Sequence, residues 1–143
     1  MKSSWDGVMP AVFTWLKESK TSTLKIDFEE TQKQAAGILR TQGKGGSKMS
    51  GLVGSGTLGE NSYLSTKQRL SLLKSLSDVA KEYKVPLISG ASAETKEELT
   101  KIIEGLATVG VDTIMVMPPK TKAVPTEKEM YEYYALSEAT AKD

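Results

Sequence analysis

The sequence predicts an α/β fold in which four strand–helix units follow one another and the strands run parallel. Short apolar runs alternate with longer segments whose apolar residues recur every three or four positions, as in strands alternating with amphipathic helices. Each helical segment also opens on a residue that can cap a helix, with Glu or Gln three positions later. The four caps are Asp27, Ser65, Thr95 and Thr126. Such alternation requires crossover helices, and therefore parallel strands.

The first unit combines an apolar segment, a polar connection and a helix. Residues 7–14 are apolar and partly β-branched, which predicts a strand, although Pro10 lacks the N–H group that a central strand donates. Residues 15–25 are polar and rich in serine and threonine, which predicts a loop. The first helix then begins after Asp27 and ends at Gly43.

The second unit contains a strand at residues 50–55 that runs directly into a glycine-rich turn with Gly54, Gly56 and Gly59. The helix that follows begins at Ser65. Its apolar positions fall on one stripe, which predicts a face buried in the core. These positions are Leu70, Leu73, Leu76, Val79, Ala80 and Tyr83.

The third and fourth units repeat the pattern. Residues 86–90 and 112–118 predict strands, and helices begin after Thr95 and Thr126. Because ligands bind at the carboxyl ends of parallel strands, the predicted functional edge contains the residues that follow each strand. They are Thr14 and the segments 54–60, 90–92 and 117–122.

Composition narrows the range of functions. The 143 residues fit a single domain, residues 1–143, and a net charge of +1 gives no electrostatic footprint for nucleic acid or an anionic membrane. No apolar run approaches the roughly 20 residues of a membrane span, so we expect a cytoplasmic protein. The chain has no histidine and no cysteine, which excludes disulfides, thiolate nucleophiles, zinc sites and serine–histidine catalysis. Lysine, carboxylate, tyrosine and hydroxyl chemistry remain, and we expect no cofactor and no metal.

The glycine-rich turn is the strongest candidate for a site. Its glycines let the backbone approach a small molecule, and Ser55 and Thr57 add hydroxyls to the backbone N–H donors, which suits a carboxylate or a phosphate. The spacing G-x-G-x-x-G also matches a dinucleotide fingerprint. However, the helix begins only at Ser65 and the turn follows the second strand, which disfavours that reading. A tight turn without any ligand is a second alternative.

Several stretches carry a resemblance to a known family. The run G-L-V-G-S-G-T-L-G-E-N-S-Y-L-S resembles the second-strand motif of the dihydrodipicolinate synthase and N-acetylneuraminate lyase family. The stretches P-A-V-F-T, I-D-F-E, V-P-L-I-S-G-A-S and V-D-T-I-M-V-M-P-P, followed by Y-E-Y-Y, agree in order and spacing. This resemblance implies a class I aldolase or lyase, in which a lysine forms a Schiff base with pyruvate or a related 2-oxo acid inside a (β/α)₈ barrel.

The resemblance also implies site residues. The hydroxyl pair that holds the substrate carboxylate in the family falls on Thr57 and Leu58, between Gly56 and Gly59, and only Thr57 keeps a hydroxyl. Where many relatives have Pro-Tyr-Tyr after the fourth strand, this chain has Pro-Pro-Lys. The lysine, Lys120, is either a reactive amine with a pKa lowered by burial or an ordinary solvated loop lysine.

The length implies part of a barrel, because a complete (β/α)₈ barrel needs about 250 residues. The family's Schiff-base lysine and catalytic tyrosine lie on the sixth and fifth strands, beyond Asp143. We therefore expect the N-terminal half of a barrel, inactive by itself. Its bare edges predict a partner, which is either a second copy or the remainder of the barrel. Alternatives are a non-catalytic half-barrel assembly module and a flavodoxin-like binding domain of four strands.

Overall fold

A computed structural model describes residues 7–18, 25–41, 46, 48–118 and 124–142. Four α-helices and five short strands make up its regular structure, with one 3₁₀ turn at Asn61–Tyr63. The helices are α1 (Phe28–Arg40), α2 (Thr66–Tyr83), α3 (Lys96–Val109) and α4 (Glu127–Lys142). The strands are β1 (Leu16–Lys17), β2 (Lys25–Ile26), β3 (Leu52–Gly54), β4 (Leu87–Gly90) and β5 (Thr113–Met115).

The main sheet consists of β3, β4 and β5 in that order, and all three strands are parallel. Leu52 pairs with Leu87, and Ile88 pairs with Thr113. Helix α2 connects β3 to β4, and α3 connects β4 to β5. The predicted parallel strands of the second, third and fourth units are therefore confirmed.

The first predicted strand forms only in part. Residues 7–14 run beside β3 in the parallel direction, but they make isolated bridges, Val8 with Met49 and Ala11 with Val53, rather than a regular ladder. The Val53 N–H donates to the Pro10 carbonyl over 2.9 Å, while Pro10 has no N–H to return. Of the four predicted parallel strands, the last three therefore form a regular ladder, and the first only lies beside it through isolated bridges.

The prediction of a loop at residues 15–25 is wrong at its two ends. Strands β1 and β2 form an antiparallel pair in which Leu16 faces Ile26 and Lys17 faces Lys25. Ile26 is buried, so the hydrophobic core holds this pair in place despite its polar sequence. Residues 19–24 lie outside the described part of the chain.

The predicted helix starts are confirmed. The Asp27 carboxylate accepts a hydrogen bond from the Glu30 N–H, and the Thr95 hydroxyl accepts one from the Glu98 N–H. Ser65 forms a complete capping box, in which its hydroxyl and the Gln68 side chain each accept a hydrogen bond from the other residue's backbone N–H. Reciprocal bonds of the same kind also join Thr126 to Glu129. Helix α1 ends at Arg40, earlier than predicted, because Thr41 is extended.

The core lies between the helices and one face of the sheet. Gly54 lies close against α2, because a Cβ added there would lie 2.8 Å from Leu76 Cδ1 and 3.0 Å from Leu73 Cδ2. On the predicted stripe of α2, four residues are buried and two, Leu70 and Tyr83, are partly buried. Leu72 is also buried, because α2 packs against both α1 and α3.

The opposite face of the sheet is more open. Side chains alternate across a strand, so Val53, Ile88 and Met115 lie on the face away from the buried Leu52 and Leu87. Met115 is 43% exposed there. None of the described helices combines the length and hydropathy needed to cross a bilayer.

Candidate active site

A cavity of about 440 Å³ lies at the carboxyl ends of the three parallel strands. The ends of the strands and the loops that follow them form most of its wall, while α2 and α3 contribute one residue each. The lining at and after the strand ends consists of Ser55, Gly56, Thr57, Gly90, Ser92, Ala93, Glu94, Met115, Met117 and Pro118. Asn61, Ser62, Leu64, Arg69 and Glu98 complete it. This is the edge at which the sequence predicts a ligand.

The glycine-rich turn closes on itself just after β3. The Gly59 N–H donates to the Gly56 carbonyl over 3.1 Å, and the Glu60 N–H donates to the Thr57 carbonyl over 3.2 Å. The N–H groups of Gly56, Thr57 and Leu58 find no acceptor among the described residues. A carboxylate in the cavity is the kind of group that such unpaired donors bind.

Two contacts hold the turn in place from outside. The hydroxyl of the buried Thr14 donates to the Gly59 carbonyl over 2.7 Å, and thereby joins the end of the first strand segment to the turn. On the other side, Gly90 packs so closely that an added Cβ would collide with the Ser55 carbonyl. The ends of three neighbouring chain segments therefore fix the shape of the turn.

The predicted site residues occupy different positions around this cavity. Gly56 and Thr57 line it, whereas Leu58 and Gly59 do not. Leu58 is 51% exposed, while Gly59 is buried under Thr14. Lys120 lies outside the described residues. The role of these residues in binding a substrate thus stays a prediction, now attached to a defined place at the carboxyl edge.

Arg69 is a lining residue that the sequence analysis missed. It is only 6% exposed, and its Nη2 donates to the Gly90 carbonyl over 3.2 Å while Nη1 lies 3.5 Å from the Ser92 carbonyl. Burial lowers the pKa of Arg69, and the Glu98 carboxylate opposes this effect. Its spacing indicates that it lies on the buried face of the helix, because Arg69 is three and four positions before the buried Leu72 and Leu73.

Tyr133 of α4 secures the loop after β4. Its hydroxyl donates to the Ala93 carbonyl over 2.9 Å and accepts a hydrogen bond from the Ala93 N–H over 3.0 Å. The pKa of Tyr133 is raised, mainly because burial disfavours the phenolate. The Ser92 hydroxyl in turn accepts a hydrogen bond from the Met117 N–H over 2.7 Å. These bonds connect the loops after β4 and β5.

The lining offers hydroxyls, backbone N–H groups, one guanidinium and two exposed carboxylates, Glu94 and Glu98. Within the described ranges, no cluster of three acidic residues is arranged to hold a metal ion. The arrangement suits the binding of a small, polar, negatively charged molecule rather than direct nucleophilic attack.

A parallel sheet with successive crossover helices and a cavity at its carboxyl edge defines the class of (βα)-type domains from which barrels are built. Comparison with known proteins identifies the family within this class. The model of the Dihydrodipicolinate synthetase family matches residues 6–141, and the chain therefore belongs to that family.

Individual relatives agree with this assignment. A 4-hydroxy-tetrahydrodipicolinate synthase of Neisseria gonorrhoeae is 34% identical over 94 residues, which is 64% of this chain and 31% of that protein. One from Rickettsia bellii is 26% identical over 98% of this chain and 44% of its own length. The chain thus spans less than half the length of these relatives.

Solved structures show the same fold. A dihydrodipicolinate synthase crystal structure superposes with a TM-score of 0.78 at 24% identity, over 95% of this chain and 43% of that one. A prophage protein of the same family from E. coli K12, solved in complex with pyruvate, gives 0.79 at 22% identity, over 96% and 42%. The fold is therefore similar to the N-terminal portion of a family barrel.

Proposed function

We propose that this chain is the N-terminal half of a Schiff-base-forming aldolase or lyase that acts in the cytosol on pyruvate or a related 2-oxo acid. In this proposal the chain supplies the loop that binds the substrate carboxylate, while the lysine that forms the Schiff base belongs to the remainder of the barrel. The observation that supports it most is the glycine-rich turn, because Gly56 and Thr57 line the cavity at the carboxyl edge of the sheet and their N–H groups are unpaired among the described residues.

The turn acts by holding one end of the substrate. A carboxylate oxygen accepts hydrogen bonds from the N–H groups near Gly56, and the Thr57 hydroxyl adds a further donor. Leu58 offers only its backbone. These hydrogen bonds orient the 2-oxo carbon of the substrate towards the lysine amine on the far side of the barrel. The amine adds to that carbon, water leaves, and the resulting iminium withdraws electrons from the bond that breaks or forms.

A second candidate is a non-catalytic half-barrel module that pairs with a copy of itself. The partly exposed apolar face of the sheet favours it, because Phe13 is 51% and Met115 43% exposed. In this case the open face and the strand edges serve assembly, and the cavity binds no substrate.

Treatment with pyruvate and borohydride, followed by mass spectrometry, tests the proposal together with ¹⁵N NMR. We expect pyruvate to shift the amide signals of Gly56 and Thr57 without leaving a reduced lysine adduct on the isolated chain. Thr57→Val should weaken binding several-fold, whereas Thr113→Val, an exposed control on β5, should not. A stable adduct would show that the chain carries its own Schiff-base lysine. If the chain sediments as a dimer and pyruvate shifts no amide signals, the result would instead support the assembly module.

A further inference from the structure

We propose that another cavity, at the amino-terminal ends of the strands, is a binding site for a small anion that carries a compact apolar body. This cavity lies at the opposite rim of the sheet from the candidate active site, so the inference is independent of the proposed function. Its volume is about 330 Å³, within the range of pockets that hold small molecules. It is lined by Leu39, Arg40, Lys48, Met49, Tyr83 and Val85.

The topology of the chain brings these residues together. Leu39 and Arg40 end α1, and Tyr83 ends α2, which packs against α1. Met49 and Val85 come shortly before β3 and β4. Because β3 and β4 are parallel and start at the same edge, the residues that precede them meet the ends of the two helices there.

One side of the cavity is apolar. Leu39 is 8% exposed and belongs to the hydrophobic core, and Met49, Tyr83 and Val85 are partly buried against that core. Apolar walls of this kind favour a ligand with apolar surface of its own, because binding removes that surface from water. An inorganic ion gains nothing from them.

Arg40 and Lys48 give the cavity its positive charge. None of the lining residues is acidic, and none of the salt bridges between described residues includes either cation. The Nη1 of Arg40 donates to the Tyr83 hydroxyl over 3.4 Å, which is a long hydrogen bond and leaves most of the guanidinium donors unused. An anionic group in the cavity would pair with both cations.

The ends of α1 and α2 do not account for these cations. A helix C-terminus carries about half a negative charge, so the two ends together offset about one of the two positive charges. The backbone also caps both helices: the Thr41 N–H donates to the Ile38 carbonyl and the Val85 N–H to the Ala80 carbonyl, each over 3.0 Å. The surplus positive charge beside an apolar wall therefore suits a monoanion with an apolar body.

Calorimetry and NMR on the chain test the site, with phenyl phosphate and benzoate as probes. We expect both probes to shift the methyl signals of Leu39, Met49 and Val85 and to leave the amide signals of Gly56 and Thr57 unchanged. Inorganic phosphate lacks the apolar body and benzyl alcohol lacks the charge, so each should bind several-fold more weakly than phenyl phosphate.

Variants that remove one charge each complete the test. Arg40→Gln and Lys48→Gln should each weaken phenyl phosphate about three- to fivefold, the loss expected of an ion pair that water partly screens. Both positions are exposed, so the melting temperature should not change. Lys101→Gln, at an exposed position on α3, is the matched control and should bind as the unmodified chain does. Equal binding of phenyl phosphate and either simpler probe would overturn the assignment, as would shifts confined to the Gly56 and Thr57 amides.

Discussion

The hydrogen bond from Thr14 to the Gly59 carbonyl should control the order of the glycine-rich turn. The two residues are 45 positions apart, and the bond is short, 2.7 Å, and buried. Thr14→Val keeps the branched shape of the side chain and removes only the donor. The Gly59 carbonyl then remains buried without this partner, while the other contacts of the turn stay in place.

The expected loss follows from that unpaired carbonyl. A buried acceptor left without its donor costs about 1–3 kcal/mol, more than the net value of an ordinary exchangeable hydrogen bond. For a domain of this size, each kcal/mol lowers the melting temperature by roughly 3 °C. Thr14→Val should therefore melt about 3–9 °C below the unmodified chain.

Calorimetry combined with amide hydrogen exchange checks this expectation. The Gly59 and Glu60 amides, whose bonds close the turn, should exchange faster in Thr14→Val than in the unmodified chain. Thr113→Val is the control, because Thr113 is exposed and its hydroxyl donates only to the adjacent Asp112 carbonyl. Its stability should change by less than about 0.5 kcal/mol. Equal melting temperatures and equal exchange in both variants would refute the role assigned to Thr14.

Three further predictions concern packing and pH. Gly90→Ala should destabilise the fold by about 2 kcal/mol or more, because the new Cβ meets the Ser55 carbonyl; denaturant unfolding measures this. A hydrogen bond from the Glu30 N–H lowers the pKa of Asp27. The contribution of this carboxylate to stability is therefore complete above its ordinary pKa of 3.8 and is lost as the pH falls through the lowered pKa. Asp27→Asn should reduce this loss in acid unfolding curves. Burial raises the pKa of Tyr133, so its contribution is complete below about pH 10 and falls at higher pH; Tyr133→Phe should flatten that decline.

Each of these predictions has a control within the chain. Gly37→Ala, where a Cβ meets nothing within 4 Å, should be neutral or stabilising, and a loss equal to that of Gly90→Ala would contradict the packing argument. Acid unfolding that is identical with and without the Asp27 carboxylate would show that other groups dominate. Absorbance titration should show one phenol that ionises above the ordinary pKa of 10.0 and is missing in Tyr133→Phe, and identical high-pH titration of both chains would contradict its burial.

The local signals in the sequence predicted most of the fold. Caps such as Ser65 fix where a helix begins, because they satisfy N–H groups that the helix itself leaves unpaired. The first strand was harder to predict, since Pro10 disrupts a ladder to an extent that depends on its neighbours. The β1–β2 pair was missed because residues 15–25 are mostly polar. The burial of Ile26 in the core stabilises the pair, and that burial depends on the tertiary structure.

The candidate site could be predicted in position but not in full composition. The residues after parallel strands meet at one edge by topology, which placed Gly56 and Thr57 correctly beside the cavity. Arg69 was missed, because an arginine on a helix is usually exposed and only the packing of α2 shows that this one is buried. Whether Leu58 contacts a ligand depends on the conformation of the turn, which residue spacing does not define.

The helices pack in the order in which they are made. Helix α1 contacts α2, α2 contacts α3, and α3 contacts α4, while β3 pairs with β4 and β4 with β5. As the polypeptide leaves the ribosome, each new strand–helix unit meets a surface that the preceding unit has already formed. Such near-neighbour contacts keep the entropy of loop closure small, and they favour rapid, stepwise assembly during synthesis.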